Sequence, residues 1–147
     1  MHLTQHTDYA LRALVALGSV EPRSLTAAEI SESYGISVHH VLKVIQTLGR
    51  LGYVETTRGR GGGVRLAREP ACIRLGELVR QVEPELGVVP CLRHDDEPCV
   101  IEPACGLKSL LRAATLNFLA TLDEHTLADA LRPRASLVRL LQLGRPA

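Results

Sequence analysis

The sequence predicts a mainly α-helical fold with one small β-hairpin, and three observations predict it. Apolar residues recur at spacings of three and four through most of the chain, the period of helices with one buried face. Only residues 53–56 and 64–67 read as strands, and they flank a turn of arginine and glycine. The composition, 46% hydrophobic and 22% charged over 147 residues, is that of one globular domain or a domain plus an appendage. Two short helices followed by the hairpin have the order of a winged helix-turn-helix, and a further long helix is left over for dimerisation.

The elements follow in order. Leu3, Ala10, Leu11, Leu14, Val15 and Leu17 set a first helix, with Thr7 expected as its cap and Asp8 as its first residue. An acid there complements the helix dipole, and Arg12, four residues on, is placed to pair with it. This stretch lacks the unbroken apolar run and cleavage site of a secretory leader, and no segment has the length of a bilayer span. A cytoplasmic protein with no membrane partner is expected. Pro22 and Ser24 interrupt the pattern, and Thr26-Ala27-Ala28-Glu29 has the form of a capping box. The short helix it opens runs to about Tyr34, where Gly35 suits a left-handed stop. Ser37 is the expected cap of the next helix, with an apolar stripe of Val38, Val41, Leu42, Ile45, Leu48 and Leu51.

Tyr53-Val54-Glu55-Thr56 and Val64-Arg65-Leu66-Ala67 form the wing. Residues 73–82 return to helical spacing until Pro84. Residues 84–103 are rich in proline, glycine and acids, and a stretch of about twenty structureless residues is unusual unless it has a function. A helix from about Ala104 to Leu122 and a short one at 126–131 follow, and the tail from Arg134 is expected to fray. The division this predicts is a DNA-binding domain at 1–82, a cysteine loop at 83–106, a dimerisation region at 107–131 and a tail at 132–147.

Charge is unevenly spread. The net value is +1, yet residues 37–68 hold six bases (Lys43, Arg50, Arg58, Arg60, Arg65, Arg68) against Glu55, whereas residues 84–105 hold five acids against Arg93. Arginines on a glycine turn beside a helix-turn-helix suit the negative potential of a DNA minor groove. The candidate DNA contacts are Ser37, His39, His40 and Lys43, with Gln46 and Thr47, on the second helix, and Arg58 and Arg60 on the turn. The turn lacks the lysine and hydroxyl residue of a nucleotide-binding loop. Aromatics at 3% argue against stacking on single strands and for reading duplex DNA. No nucleophile with a positioned base can be picked out, so an enzyme is not expected.

Four cysteines in a reducing compartment point to metal ligation or redox sensing rather than structural disulfides. Cys72 stands apart and reads as core filler. Cys91, Cys99 and Cys105 fall within one loop as C-x7-C-x5-C. With His94 they would make a Cys3His zinc site, although the tight knuckle spacing of structural zinc is missing. An iron–sulfur cluster accepts such spacing but leaves one iron without a cysteine, and a disulfide switch needs no metal.

The chain also resembles a known family over nearly its whole length to about Leu131. The resemblance rests on residues 3–12, on His39-His40-Val41-Leu42-Lys43-Val44-Ile45, on the arginine–glycine wing at 58–67, on residues 73–80 and on Pro103-Ala104-Cys105-Gly106-Leu107. The family is that of the iron–sulfur winged-helix regulators that include IscR, and within it the branch that senses nitric oxide. The resemblance implies a homodimeric repressor reading a pseudo-palindromic double-stranded operator and holding one cluster per subunit. In that branch the cluster is of the 4Fe-4S type, with 2Fe-2S in other relatives. Carried over residue by residue, the ligands are Cys91, Cys99 and Cys105 with Asp8 from the partner subunit, and Arg12 orients that carboxylate. A regulator of the same family that senses redox state, cluster supply or zinc is the alternative.

Overall fold

The computed structural model describes residues 2–59, 62–93 and 99–144. In order they form α1 (Gln5–Val20), α2 (Ala27–Tyr34), α3 (Val38–Arg50), β1 (Val54–Thr57), β2 (Gly63–Leu66), α4 (Leu75–Val82), α5 (Gly106–Asp123), α6 (Leu127–Ala130) and α7 (Arg134–Leu140). Single 3-10 turns lie at Pro70–Cys72, Pro90–Leu92 and Glu102–Ala104. Among the described residues no helix is long and apolar enough to cross a membrane. The mainly helical winged helix-turn-helix with one antiparallel hairpin is as the sequence predicts.

The core is built on α1. Ala10, Ala13, Ala16 and Gly18 alternate with Leu14 and Leu17 on its buried faces, and α3, α4, α6, α7 and β2 all pack against it. The small residues let neighbours come close: a Cβ at Gly18 would stand 2.5 Å from Leu131 Cδ1. The helix opens earlier than the apolar pattern suggests. Thr4 is the cap, its Oγ1 accepting from the Thr7 amide at 3.3 Å, while Thr7 is buried in the first turn. The predicted start at Asp8 fails because the first turn is polar and carries no periodic signal. Thr4 is itself held by Glu83, at the end of α4: the Thr4 amide and hydroxyl donate to Glu83 Oε2 at 2.9 and 3.2 Å.

Local rules work well over the next elements. The capping box forms, with the Thr26 amide donating to Glu29 Oε2 at 2.7 Å and the Glu29 amide to Thr26 Oγ1 at 3.1 Å. Burial acts to raise the Glu29 pKa, but these bonds and Arg23, at 2.6 Å, outweigh it and hold the carboxyl below its ordinary value. Gly35 ends α2 at φ 63°, in the left-handed region open to glycine. In α3 the buried stripe is Val41, Val44, Ile45 and Leu48, whereas Val38 and Leu42 are 45% and 52% exposed. Those two were expected inside. With 3.6 residues per turn they fall on the flank of the stripe, and apolar type alone does not bury a residue.

The wing pairs Val54 with Leu66 and Glu55 with Arg65. Leu25 extends it by one bridge, exchanging bonds with Val64 at 2.9 and 2.7 Å. Beyond the wing, Tyr53 is buried and its hydroxyl donates to Gln81 Oε1 of α4 at 3.0 Å.

α5 leans on α4 through a two-pronged contact. Arg80 Nη1 and Nη2 each meet a carboxylate oxygen of Asp123 at 2.6 Å, and this fork holds the Asp123 pKa below its ordinary value. Elsewhere α5 is poorly covered: Leu107, Leu110 and Leu116 are about three-fifths exposed, and Leu119 alone on the helix is buried. The tail differs from expectation. Instead of fraying it forms α7, which docks on α1; Leu143 is buried, and Arg134 Nε donates to the Ser19 carbonyl at 2.8 Å. Leu137, Leu141 and Leu143 supply the apolar face, and Arg23 closes the end by donating to the Leu143 carbonyl at 2.9 Å.

Gly76 faces Asp123 so closely that an added Cβ would stand 2.9 Å from the Asp123 backbone nitrogen and collide with the side chain that Arg80 holds. Gly76→Ala is expected to lower unfolding free energy by about 1–3 kcal/mol in a urea titration. An unchanged midpoint would show that α4 and α5 do not need this close approach.

Candidate functional site

The exposed side chains of α3 and of the wing are the candidate DNA contacts. Ser37 occupies the cap position of α3 but makes no side-chain bond to the helix amides, and His39, His40, Lys43 and Gln46 are exposed beside it. Thr47 is half-buried, its Oγ1 lying 3.2 Å from His6 Nε2 of α1. The His40 ring leans on Tyr9, centroids 6.0 Å apart and tilted by 36°. One flank of α3 is therefore taken up by α1, and His39, Lys43 and Gln46 stay exposed.

Five of the six bases counted in the sequence lie among the described residues and separate into two groups. Arg65 is spent on Glu55, directly opposite in the wing, at 2.6 Å. Arg68 folds back under α3, donating to the carbonyls of Gly52 and Leu51 at 2.9 and 3.1 Å with its guanidinium 4.7 Å from the Tyr53 ring centroid. It braces the turn that launches the wing. Lys43, Arg50 and Arg58 remain on the exposed face. Arg60 lies outside the described residues. A count along the chain cannot tell these roles apart, because pairing across a hairpin is a tertiary fact.

Cys91, Cys99 and Cys105 follow α4 in the chain, and Cys72 precedes it. Cys91 sits half-buried in the turn Pro90–Leu92, which packs against α5, and Cys105 occupies the cap position of α5 itself. Cys99 is exposed, with its carbonyl accepting from the Glu102 amide at 3.0 Å. Both Pro90 and Pro103 stand in these turns, where the backbone is already irregular. Cys72, expected as core filler, is exposed in the turn before α4; Ile73 takes the buried position instead. His94 lies outside the described residues, as do Asp95, Asp96 and Glu97.

Asp8 is on the first turn of α1, where Arg12 Nε donates to its Oδ1 at 3.0 Å, and both side chains stay more than two-fifths exposed. Arg12 in turn lies over the Tyr34 ring at 5.7 Å. Among the described residues no three histidine, cysteine or acidic side chains converge well enough to hold a metal ion. The donors nevertheless suit iron and sulfide in kind: three free thiols stand on irregular backbone in one segment, and the Asp8 carboxylate is partly exposed. One chain alone does not gather the four.

Residues 3–133 match the Rrf2 family, described as iron-dependent transcriptional regulators. The chain belongs to the Rrf2 family. It is 46% identical over 144 residues to the HTH-type transcriptional regulator NsrR of Bacillus subtilis strain 168, covering 97% of this chain and 99% of that protein. Identity to the NsrR of Geobacillus kaustophilus HTA426 is also 46%, over 146 residues and 99% of each chain. Among solved structures it is similar to T. potens IscR, with a TM-score of 0.70 and 25% identity over 90% of this chain and 88% of that one. CymR, the global cysteine regulator of B. subtilis, shares the fold at a TM-score of 0.65 and 24% identity, over 88% of this chain and 95% of that one. The Rrf2 chain is thus a DNA-binding transcriptional regulator with a winged helix-turn-helix fold.

Arg68→Ala removes two bonds to carbonyls and a contact with Tyr53. It is expected to cost about 1–2 kcal/mol of stability by denaturant unfolding, whereas Arg58→Ala should leave the midpoint within about 0.5 kcal/mol. Equal costs for the two would remove the distinction between brace and exposed base.

Proposed function

We propose that this Rrf2 chain is a homodimeric iron–sulfur repressor that leaves its operator when nitric oxide attacks the cluster. One observation carries the reading: α1, which bears the exposed carboxylate of Asp8, is bonded to the DNA-reading helix at one side and to the start of the cysteine segment at its end. The His6–Thr47 and Tyr9–His40 contacts make the first link. The bonds from Thr4 to Glu83 make the second.

Cys91, Cys99 and Cys105 of one subunit and Asp8 of the partner subunit would hold the cluster, one per subunit. When bound, the cluster supplies iron that nitric oxide attacks, and a 4Fe-4S group fits three thiolates plus one carboxylate. Arg12 Nε holds Asp8 by its Oδ1, and the Asp8 side chain stays 43% exposed. The four ligands then tie the cysteine segment of one subunit to α1 of the other, and α1 sets where α3 stands. Leu107, Leu110 and Leu116 of α5 supply apolar surface for the dimer contact. Paired α3 helices at a fixed separation match a two-fold operator. Turning such a dimer from 99:1 bound-competent to 1:99 takes about 5.5 kcal/mol of differential ligation. Released from its ligand role, Asp8 retains Arg12 as its partner, so the freed chain keeps no uncompensated charge.

Anaerobically purified protein is expected to be brown, to contain iron and acid-labile sulfide, and to lose both its visible absorbance and its DNA binding when nitric oxide is added. Colourless protein with stoichiometric zinc would overturn the reading. Cys99→Ala should abolish the absorbance and leave a folded chain, while Cys72→Ala should leave it intact. Lys43→Ala and Arg58→Ala should keep the absorbance and weaken DNA binding, each lowering the slope of log affinity against log salt by about 1.

A further inference from the structure

The exposed surface of α3 divides into three strips. On one flank His40 and Thr47 rest against α1. The middle carries His39, Lys43, Gln46 and Arg50, all exposed. On the far flank stand Val38 and Leu42, one helical turn apart, at 45% and 52% exposure. At 3.6 residues per turn Leu42 lies about 60° from His39, and Lys43 lies about 40° to its other side. Gln46 falls between Leu42 and His39 on the same projection.

Neither aliphatic side chain is needed by the core, which Val41, Val44, Ile45 and Leu48 fill. Single exposed aliphatics are ordinary. These two differ in adjoining the basic strip of the helix that a winged helix-turn-helix places in the major groove. There the one apolar group on any base edge is the C5 methyl of thymine, and an amide side chain such as Gln46 pairs best with N6 and N7 of adenine. An aliphatic strip beside that amide therefore fits the two partners of a single kind of base pair. Lys43 beside it meets the phosphate that borders the groove.

Resting on the DNA-binding reading above, we propose that Val38 and Leu42 pack on thymine methyl groups and make α3 selective for A·T pairs at one edge of each half-site. The contact needs no hydrogen bond from either residue. Its worth is the burial of a methyl group, about fourfold in affinity for each one covered.

The test begins by enriching duplexes from a random-sequence pool with the intact, anaerobically purified dimer. Each thymine of the winning sequence is then replaced by deoxyuridine, which removes the methyl and nothing else. We expect one or two positions per half-site at which this lowers affinity about fourfold. At those positions Leu42→Ala should show no further loss, Leu42→Met should keep the sensitivity, and Lys43→Ala should remain sensitive while binding more weakly overall. A parent protein indifferent to every replacement overturns the proposal, as does a Leu42→Ala protein that keeps the full sensitivity. A change in dimer mass on Leu42→Ala would assign the strip to a contact between protein chains and also overturn it. Failure to enrich any duplex would instead bring down the DNA-binding reading itself.

Discussion

The close packing of α1 against five other elements is the constraint on which the rest of the structure depends. Its alanines and Gly18 bring α3, α4, α6, α7 and β2 near enough that none can shift without disturbing the others. Interiors packed to this density have discrete arrangements rather than continuous play. The first two turns of α1 reach α3 through the contacts His6–Thr47 and Tyr9–His40, and Leu14 and Leu17 share one core with the buried stripe of α3.

Two parts of the chain that are far apart in sequence meet at that first turn. Glu83 closes α4 and opens the segment that leads to Cys91, yet its buried carboxylate caps α1 by binding the Thr4 amide and hydroxyl. The arrangement binds the amide at a helix start and, by the same bonds, joins the cysteine segment to the helix packed against α3. Under the proposed function the partner subunit pulls on the same turn through Asp8. Sensor and reader then share a single rigid element, and no long pathway between them is required.

How much of this was readable in the residues depends on the range of the interaction. The capping box of Thr26 and Glu29 and the stop at Gly35 follow from neighbours within a few positions and come out as expected, and the wing strands do so to within one residue at each end. The features misread were those decided by distant parts of the chain. Thr7 is the expected cap, but Thr4 holds that place and is bonded to the distant Glu83. Cys72 looks like core until Ile73 takes the place. Arg65 and Arg68 count as DNA-facing charge until Glu55 and the carbonyls of Leu51 and Gly52 claim them. The tail closes on Gly144 and Pro146 and is expected to fray, and only the surface of α1 shows what its leucines pack on. As for the cysteines, their spacing admits a metal centre without naming it, and a single chain does not bring the donors together.

The most direct test of a cluster held between two subunits is a mixed dimer of one Cys99→Ala chain and one Asp8→Ala chain, purified anaerobically with different affinity tags. If the carboxylate comes from the partner, the three thiols of the Asp8→Ala chain meet the intact Asp8 of the other. One complete site survives, and iron and sulfide should reach half the level of the parent dimer and respond to nitric oxide as it does. If all four ligands belong to one chain, neither chain is whole. Iron no higher than the mean of the two mutant homodimers would contradict the proposed arrangement.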